Sequence, residues 1–70
     1  MDAIRDLGKN VRRLRRAADI PQDVFAEMVG INRVYLSGIE RGLRNPTIKV
    51  VVKIAELLHV DIGRLFDPVG

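Results

Sequence analysis

The chain has 70 residues, 47% of them hydrophobic, with a formal charge of +3 at pH 7 and no cysteine. That length supports one small core and a modest net stability, and the missing thiols exclude a disulfide framework and a thiolate zinc site. No apolar run is long enough to cross a bilayer and the start has no basic-then-apolar leader pattern, so a soluble cytoplasmic protein is expected.

The first predicted element is a helix over about residues 2–17, in which Ile4, Leu7, Val11, Leu14 and Ala18 recur at steps of three and four and form one apolar stripe. Asp2 and Asp6 stand near its positive end and Arg12, Arg13, Arg15 and Arg16 near its negative end, which suits the macrodipole. Ile20-Pro21 breaks the period, and Pro21 supplies a fixed φ for a second helix over about 22–29, with Asp23 in its first turn. Gly30 follows where a left-handed cap favours glycine. Ile31 then turns into the core, and Asn32 is placed to accept from the amides that open a third helix, about 32–41. Leu36 and Ile39 point inward on that helix, so Arg33, Val34, Ser37 and Gly38 must point out.

Arg41-Gly42 ends the third helix and residues 43–46 form a loop. Thr47 caps a fourth helix over about 47–58, with Ile48, Val51, Ala55 and Leu58 as its stripe and Val50, Val52 and Leu57 off it. Asp61 is expected to cap a short fifth helix over about 61–66, closed by Pro68. Val24 and Met28, one turn apart on the second helix, are expected to extend the core toward the first or fourth helix. No strand period and no repeat are evident. The expectation is an all-α, compact five-helix domain covering residues 1–70.

Pro21 to Gly42 thus reads as two short amphipathic helices hinged at Gly30-Ile31-Asn32. That is the shape of a helix-turn-helix, in which the first helix braces the second against the major groove of DNA. Charge is segregated in the same sense: residues 1–18 sum to +4, 19–32 to −3, 33–53 to +4 and 54–70 to −2. Positive potential therefore gathers on the first helix and the second half of the motif, as a phosphate-facing surface requires. Solvation of a small domain also produces basic runs, so charge alone does not decide.

The run Gln22, Phe25-Ala26, Gly30-Ile31, Tyr35-Leu36-Ser37-Gly38-Ile39-Glu40-Arg41-Gly42 and Arg44-Asn45-Pro46-Thr47 closely resembles the phage-repressor and Cro-like (XRE-type) helix-turn-helix family. The resemblance extends from Leu7 to Phe66, and Arg33 to Arg41 looks most like the controller proteins of restriction-modification systems. It implies a repressor-like fold and a transcriptional regulator that binds double-stranded DNA. Gln22 matches the family's phosphate-binding glutamine. Arg33, Val34 and Gly38 fall on positions that face base edges, with Arg33 suited to guanine and Val34 to a thymine methyl. Gly38 departs from relatives that carry a long polar residue there. Tyr35, Ser37, Arg41, Arg44, Asn45 and Lys49 fall where phosphate contacts hold register; Tyr35 is equally suited to the core, and Arg44 and Asn45 to shaping the turn before Pro46. Arg15 and Glu40 match a partly buried ion pair. Two further departures are Pro21 in place of a capping Ser or Thr and Asp19 in place of a turn glycine.

Relatives bind as dimers on a pseudo-palindrome, and Val50, Leu57, Ile62, Leu65 and Phe66 are the candidates for a homodimer interface, Leu65 and Phe66 shared with the core. Catalysis is not expected: His59, the only histidine, stands at a helix end, and neither paired carboxylates, a glycine-rich phosphate loop nor a metal-ligand cluster is present in the sequence. No cofactor and no small-molecule substrate are expected. The rival reading is a protein-interaction domain whose basic third helix docks an acidic partner chain.

Overall fold

Three of the four α-helices within residues 2–69 begin where a side chain offers the first amides an acceptor. The computed structural model describes residues 2–69, and its elements are α1 (Ala3–Ala17), α2 (Gln22–Val29), α3 (Arg33–Glu40), α4 (Ile48–Leu58) and a 3₁₀ helix (Ile62–Phe66). Asp2 accepts from the Arg5 amide, Asn32 from the Val34 and Tyr35 amides, and Thr47 from the Val50 amide. Pro21 opens α2 with no side-chain cap, as its missing acceptor dictates. No strand occurs among the described residues, and no described helix is long and apolar enough to cross a membrane.

Helix ends follow the same logic. Gly30 closes α2 at φ +88° and Gly42 turns the chain after α3 at φ +74°. Asp19 and His59 take the equivalent left-handed conformation without glycine's freedom, at φ +59° and +57°. Asp19 ends α1, where the Ile20 amide donates back to the Arg15 carbonyl.

The core gathers Leu7 and Val11 of α1, Phe25 and Ala26 of α2, Leu36 and Ile39 of α3, Val51, Ile54 and Ala55 of α4, and Leu65 of the 3₁₀ helix. All are nearly inaccessible to solvent, so truncating Leu36 or Ile39 to alanine costs about 2 to 5 kcal/mol. α1 packs on α3 and on the 3₁₀ helix, while α2 bridges α3 and α4. The α1/α3 approach is close because Gly8 faces the Ile39 and Glu40 carbonyls; a Cβ there would lie 2.9 Å from the Glu40 oxygen.

Several expectations are corrected. The fifth element is a 3₁₀ helix and not an α-helix, and the Asp61 side chain makes no capping bond. Ala18 lies beyond the end of α1 and is exposed. Val24 and Met28 do not extend the core; they remain about four-tenths exposed on the outer face of α2. Ile48 is 72% exposed, because it continues the Val51-Ala55-Leu58 stripe one turn past the last core side chain, and Ile54, outside the expected stripe, is fully buried in its place.

Polar groups strap the two ends of the fold together. Asn10 is fully buried and its Nδ2 donates to the Leu65 and Asp67 carbonyls, both at 2.9 Å, while its Oδ1 accepts from Arg13. Beside it, Arg5 donates to the Val69 carbonyl and buried Asp6 accepts from the Val69 amide. No buried side-chain nitrogen or oxygen among the described residues lacks a partner.

Candidate nucleic-acid interface

α3 presents two faces of opposite character. Leu36 and Ile39 are 0% exposed, and this anchors the helix in one rotation about its axis. Arg33 and Val34, at its capped start, are exposed, Val34 by 69%. A shallow groove of about 220 Å³ runs along this side, lined by Arg33, Val34, Ser37, Gly38, Arg41, Leu43 and Arg44. Three arginines and two exposed apolar side chains are thus gathered on this side. Such a ridge matches a DNA groove, where phosphates border base edges and thymine methyls.

Gly38 is buried, which a base-facing position on the exposed side would not lead one to expect. The Arg44 stem covers it: a Cβ on Gly38 would come within 2.6 Å of Arg44 Cγ and 3.4 Å of its Nε. The absent side chain thus makes room for Arg44, whose guanidinium occupies the space over the helix.

Behind the ridge, Arg15 Nε donates to Glu40 Oε2 at 2.7 Å and its Nη2 to Oε1 at 3.0 Å. The expected pair is therefore present, bidentate and buried, with side-chain exposures of 9% and 3%. A third bond from Arg15 to the Ile20 carbonyl, 2.8 Å, ties the α1–α2 corner to the end of α3. Gln22, half-buried at the start of α2, donates its amide to Glu40 Oε1 at 3.1 Å. Arg12, Gln22, Ser37 and Arg41 then surround this pair in a second depression of about 310 Å³, so α1, α2 and α3 meet at one polar seam.

A family model for helix-turn-helix proteins, HTH_3, matches residues 11–65. The chain belongs to this helix-turn-helix family. Among its relatives, the uncharacterized HTH-type transcriptional regulator y4dJ of Sinorhizobium fredii is 37% identical over 97% of this chain and 88% of its own. The control protein C.SmaI of Serratia marcescens is 31% identical over 100% of this chain and 83% of its own. The crystal structure of the restriction-modification controller protein C.AhdI from Aeromonas hydrophila superposes with a TM-score of 0.84, at 33% identity, over 90% of this chain and 96% of that one.

In this HTH_3 chain, the remaining candidates divide. Tyr35 is half-buried against the core, and Ser37 lines both depressions. Asn45 is exposed in the loop. Lys49 stands apart, lining an apolar groove of about 560 Å³ with Val29, Ile31, Val50, Val52 and Lys53 between α2 and α4. Of the suggested dimer residues, Ile62 and Phe66 are exposed by 41% and 36%, and Val50 and Leu57 are half-buried. Leu65 is corrected: it is 0% exposed, wholly within the core, and has no surface for a second copy to touch. His59 is an exposed helix cap. No group of three His, Cys, Asp or Glu is gathered to hold a metal among the described residues.

Sequence reasoning missed Leu43, 64% exposed beside Arg33, because a lone loop leucine carries no periodic signal. It also left Arg12 out of the site. Its signal was available, since Arg12 precedes Arg15 by one turn on the same helix.

Proposed function

We propose that this protein is a sequence-specific regulator of transcription that binds double-stranded DNA, seating α3 in the major groove. The observation that carries the reading is the division of α3: Leu36 and Ile39 are fully buried while Arg33 and Val34 stand free beside Arg41 and Arg44. Arg33 is assigned to direct readout, with Val34 beside it for a thymine methyl, and buried Gly38 contributes by leaving room for Arg44 over the helix. Gln22, Tyr35, Ser37, Arg41, Arg44 and Asn45 hold phosphates, and Lys49 reaches backbone further along. The likeness to C.SmaI and C.AhdI supports a role as a restriction-modification controller or a small repressor of the same build.

One recognition helix covers too few base pairs for useful affinity. The functional unit is a homodimer on a pseudo-palindromic operator, its two helices about 34 to 36 Å apart. Ile62, Phe66, Leu57 and Val50 supply its apolar contact. The domain works in the cytoplasm and acts by occupying DNA, without a catalytic step of its own.

Selection of bound duplexes from a random pool, repeated with Arg33→Ala, tests the reading. The expected result is a two-fold symmetric consensus that relaxes at one symmetric pair of positions in the variant. Binding that is indifferent to sequence at moderate salt overturns it and favours docking of an acidic partner chain instead.

A further inference from the structure

α1 carries a second positively charged surface that the recognition ridge does not use. Arg5, Lys9, Arg12 and Arg16 follow one another at steps of four, three and four, so they form a single stripe on the face of α1 turned away from Leu7 and Val11. All four are exposed, and with Arg13, Arg41 and Glu40, whose carboxylate is already held by Arg15, they line a depression of about 730 Å³, larger than either of those beside α3. The only acid within α1 is Asp6, which is buried and accepts from the Val69 amide. Lys9, Arg12 and Arg16 make no side-chain hydrogen bond or ion pair among the described residues. Four like charges at helical spacing repel one another, and no described residue pairs with these three to offset that repulsion.

The stripe is continuous with the recognition surface. Arg41 borders the groove along α3, the depression around Gln22 and the α1 depression alike, and Arg12 borders the latter two. Gly42 packs against the backbone of Arg5, which fixes the end of α3 beside the first turn of α1. From Arg5 to Arg16 the stripe measures about 16 Å at about 1.5 Å rise per residue. Measured along the duplex axis, at about 3.4 Å of rise per nucleotide of one strand, that length covers roughly four to five base pairs.

We infer that the α1 stripe is a phosphate-tracking surface for duplex DNA flanking the operator half-site, entered across Arg41 from the recognition helix. This rests on the DNA-binding reading above. It makes the footprint longer than α3 alone would give, and its contribution is blind to sequence.

The test compares wild type with a Lys9→Gln, Arg12→Gln, Arg16→Gln triple variant on duplexes carrying the selected operator with short or extended random-sequence flanks, over a salt series. Unchanged thermal melting verifies folding, since none of the three side chains has a partner among the described residues. The expected result is that flank extension tightens wild-type binding about tenfold or more and leaves the variant unaffected. The variant's slope of log K against log salt should be lower by about 0.9 for each phosphate that it no longer neutralises, with an unaltered consensus. Equal slopes and equal flank gain in the two proteins overturn the proposal and leave the stripe to an acidic polypeptide. Wild type that prefers the operator yet gains nothing from flanks overturns this proposal alone, whereas wild type without any sequence preference overturns the DNA-binding reading with it.

Discussion

The stem of Arg44 lies over Gly38, so that a loop arginine fills the place on α3 that the helix itself leaves empty. A methyl group at residue 38 has to displace it. In a helix, alanine is favoured over glycine by about 0.8 to 1.0 kcal/mol, and Arg44, an exposed loop residue, can shift its stem to make room. Gly38→Ala is therefore expected to keep or raise the melting temperature while weakening operator binding as much as Arg44→Ala does, roughly 1.5 to 3 kcal/mol for a charge-assisted contact. Fluorescence anisotropy on the two single variants and the double variant checks this. Additive losses in the double variant would show that Gly38 does not act through Arg44.

The Arg15–Glu40 pair gives a prediction of the opposite kind, in stability. Both side chains are buried and hydrogen-bonded, and removing one charge strands the other, at a cost of about 3 to 5 kcal/mol. At about 4 to 8 °C per kcal/mol for a domain of this size, Glu40→Gln should lower Tm by more than about 10 °C. Lys49→Gln, at an exposed position, should change stability by less than about 0.5 kcal/mol. Equal melting temperatures for the two variants would contradict the pair's structural role.

Gly8 and Gly63 form a matched pair of helical glycines. A Cβ on Gly8 would press on the Ile39 and Glu40 carbonyls, while one on Gly63 meets nothing within 4 Å. Gly8→Ala should destabilise by about 1 to 3 kcal/mol despite the gain in helix propensity, because backbone cannot move aside as a side chain can. Gly63→Ala should be neutral or slightly stabilising. Urea denaturation of both, read by far-UV circular dichroism, decides.

Asp19 holds a left-handed conformation that costs an L-residue about 1 to 2 kcal/mol, partly relieved for aspartate. Asp19→Gly should raise Tm by a few degrees. Asp19→Val should lower it by more, since a β-branched side chain fits that region worst. A higher Tm for the valine variant would remove strain at this corner as an explanation.

At the 3₁₀ helix, neighbouring residues should separate folding from self-association. Leu65→Ala empties a fully buried site and should destabilise the fold by about 2 to 5 kcal/mol, enough to unfold much of the population on mild heating. Ile62→Ser and Phe66→Ser alter exposed surface and should yield folded protein that sediments as a monomer at micromolar concentration. Unchanged sedimentation would place the dimer contact elsewhere.

Much of this architecture was legible in the order of residues. Leu36 and Ile39 set the rotation of α3, and Gly30 and Asn32 announced the turn, because those signals are local: a helical period, a positive φ and an acceptor for free amides. The Arg15–Glu40 pair was legible only through resemblance, since nothing local joins residues so far apart. Asn10 was missed because it is polar, although it stands three residues after Leu7 and four before Leu14; its partners, the carbonyls of Leu65 and Asp67, lie far along the chain. Leu65 was divided between core and dimer contact because a five-residue segment is too short to show its phase, and a 3₁₀ helix turns about every three residues, against about 3.6 in an α-helix. The Gly38–Arg44 relation joins an absent side chain to a loop, which no periodicity encodes.

The strap between Asn10 and the carbonyls of Leu65 and Asp67 sets a condition on biosynthesis. The α1 docking site is completed by the segment after α4, so a nascent polypeptide that has already released its helix-turn-helix from the ribosome still lacks the lid that secures its first helix. A domain built this way completes its core only once that segment has emerged.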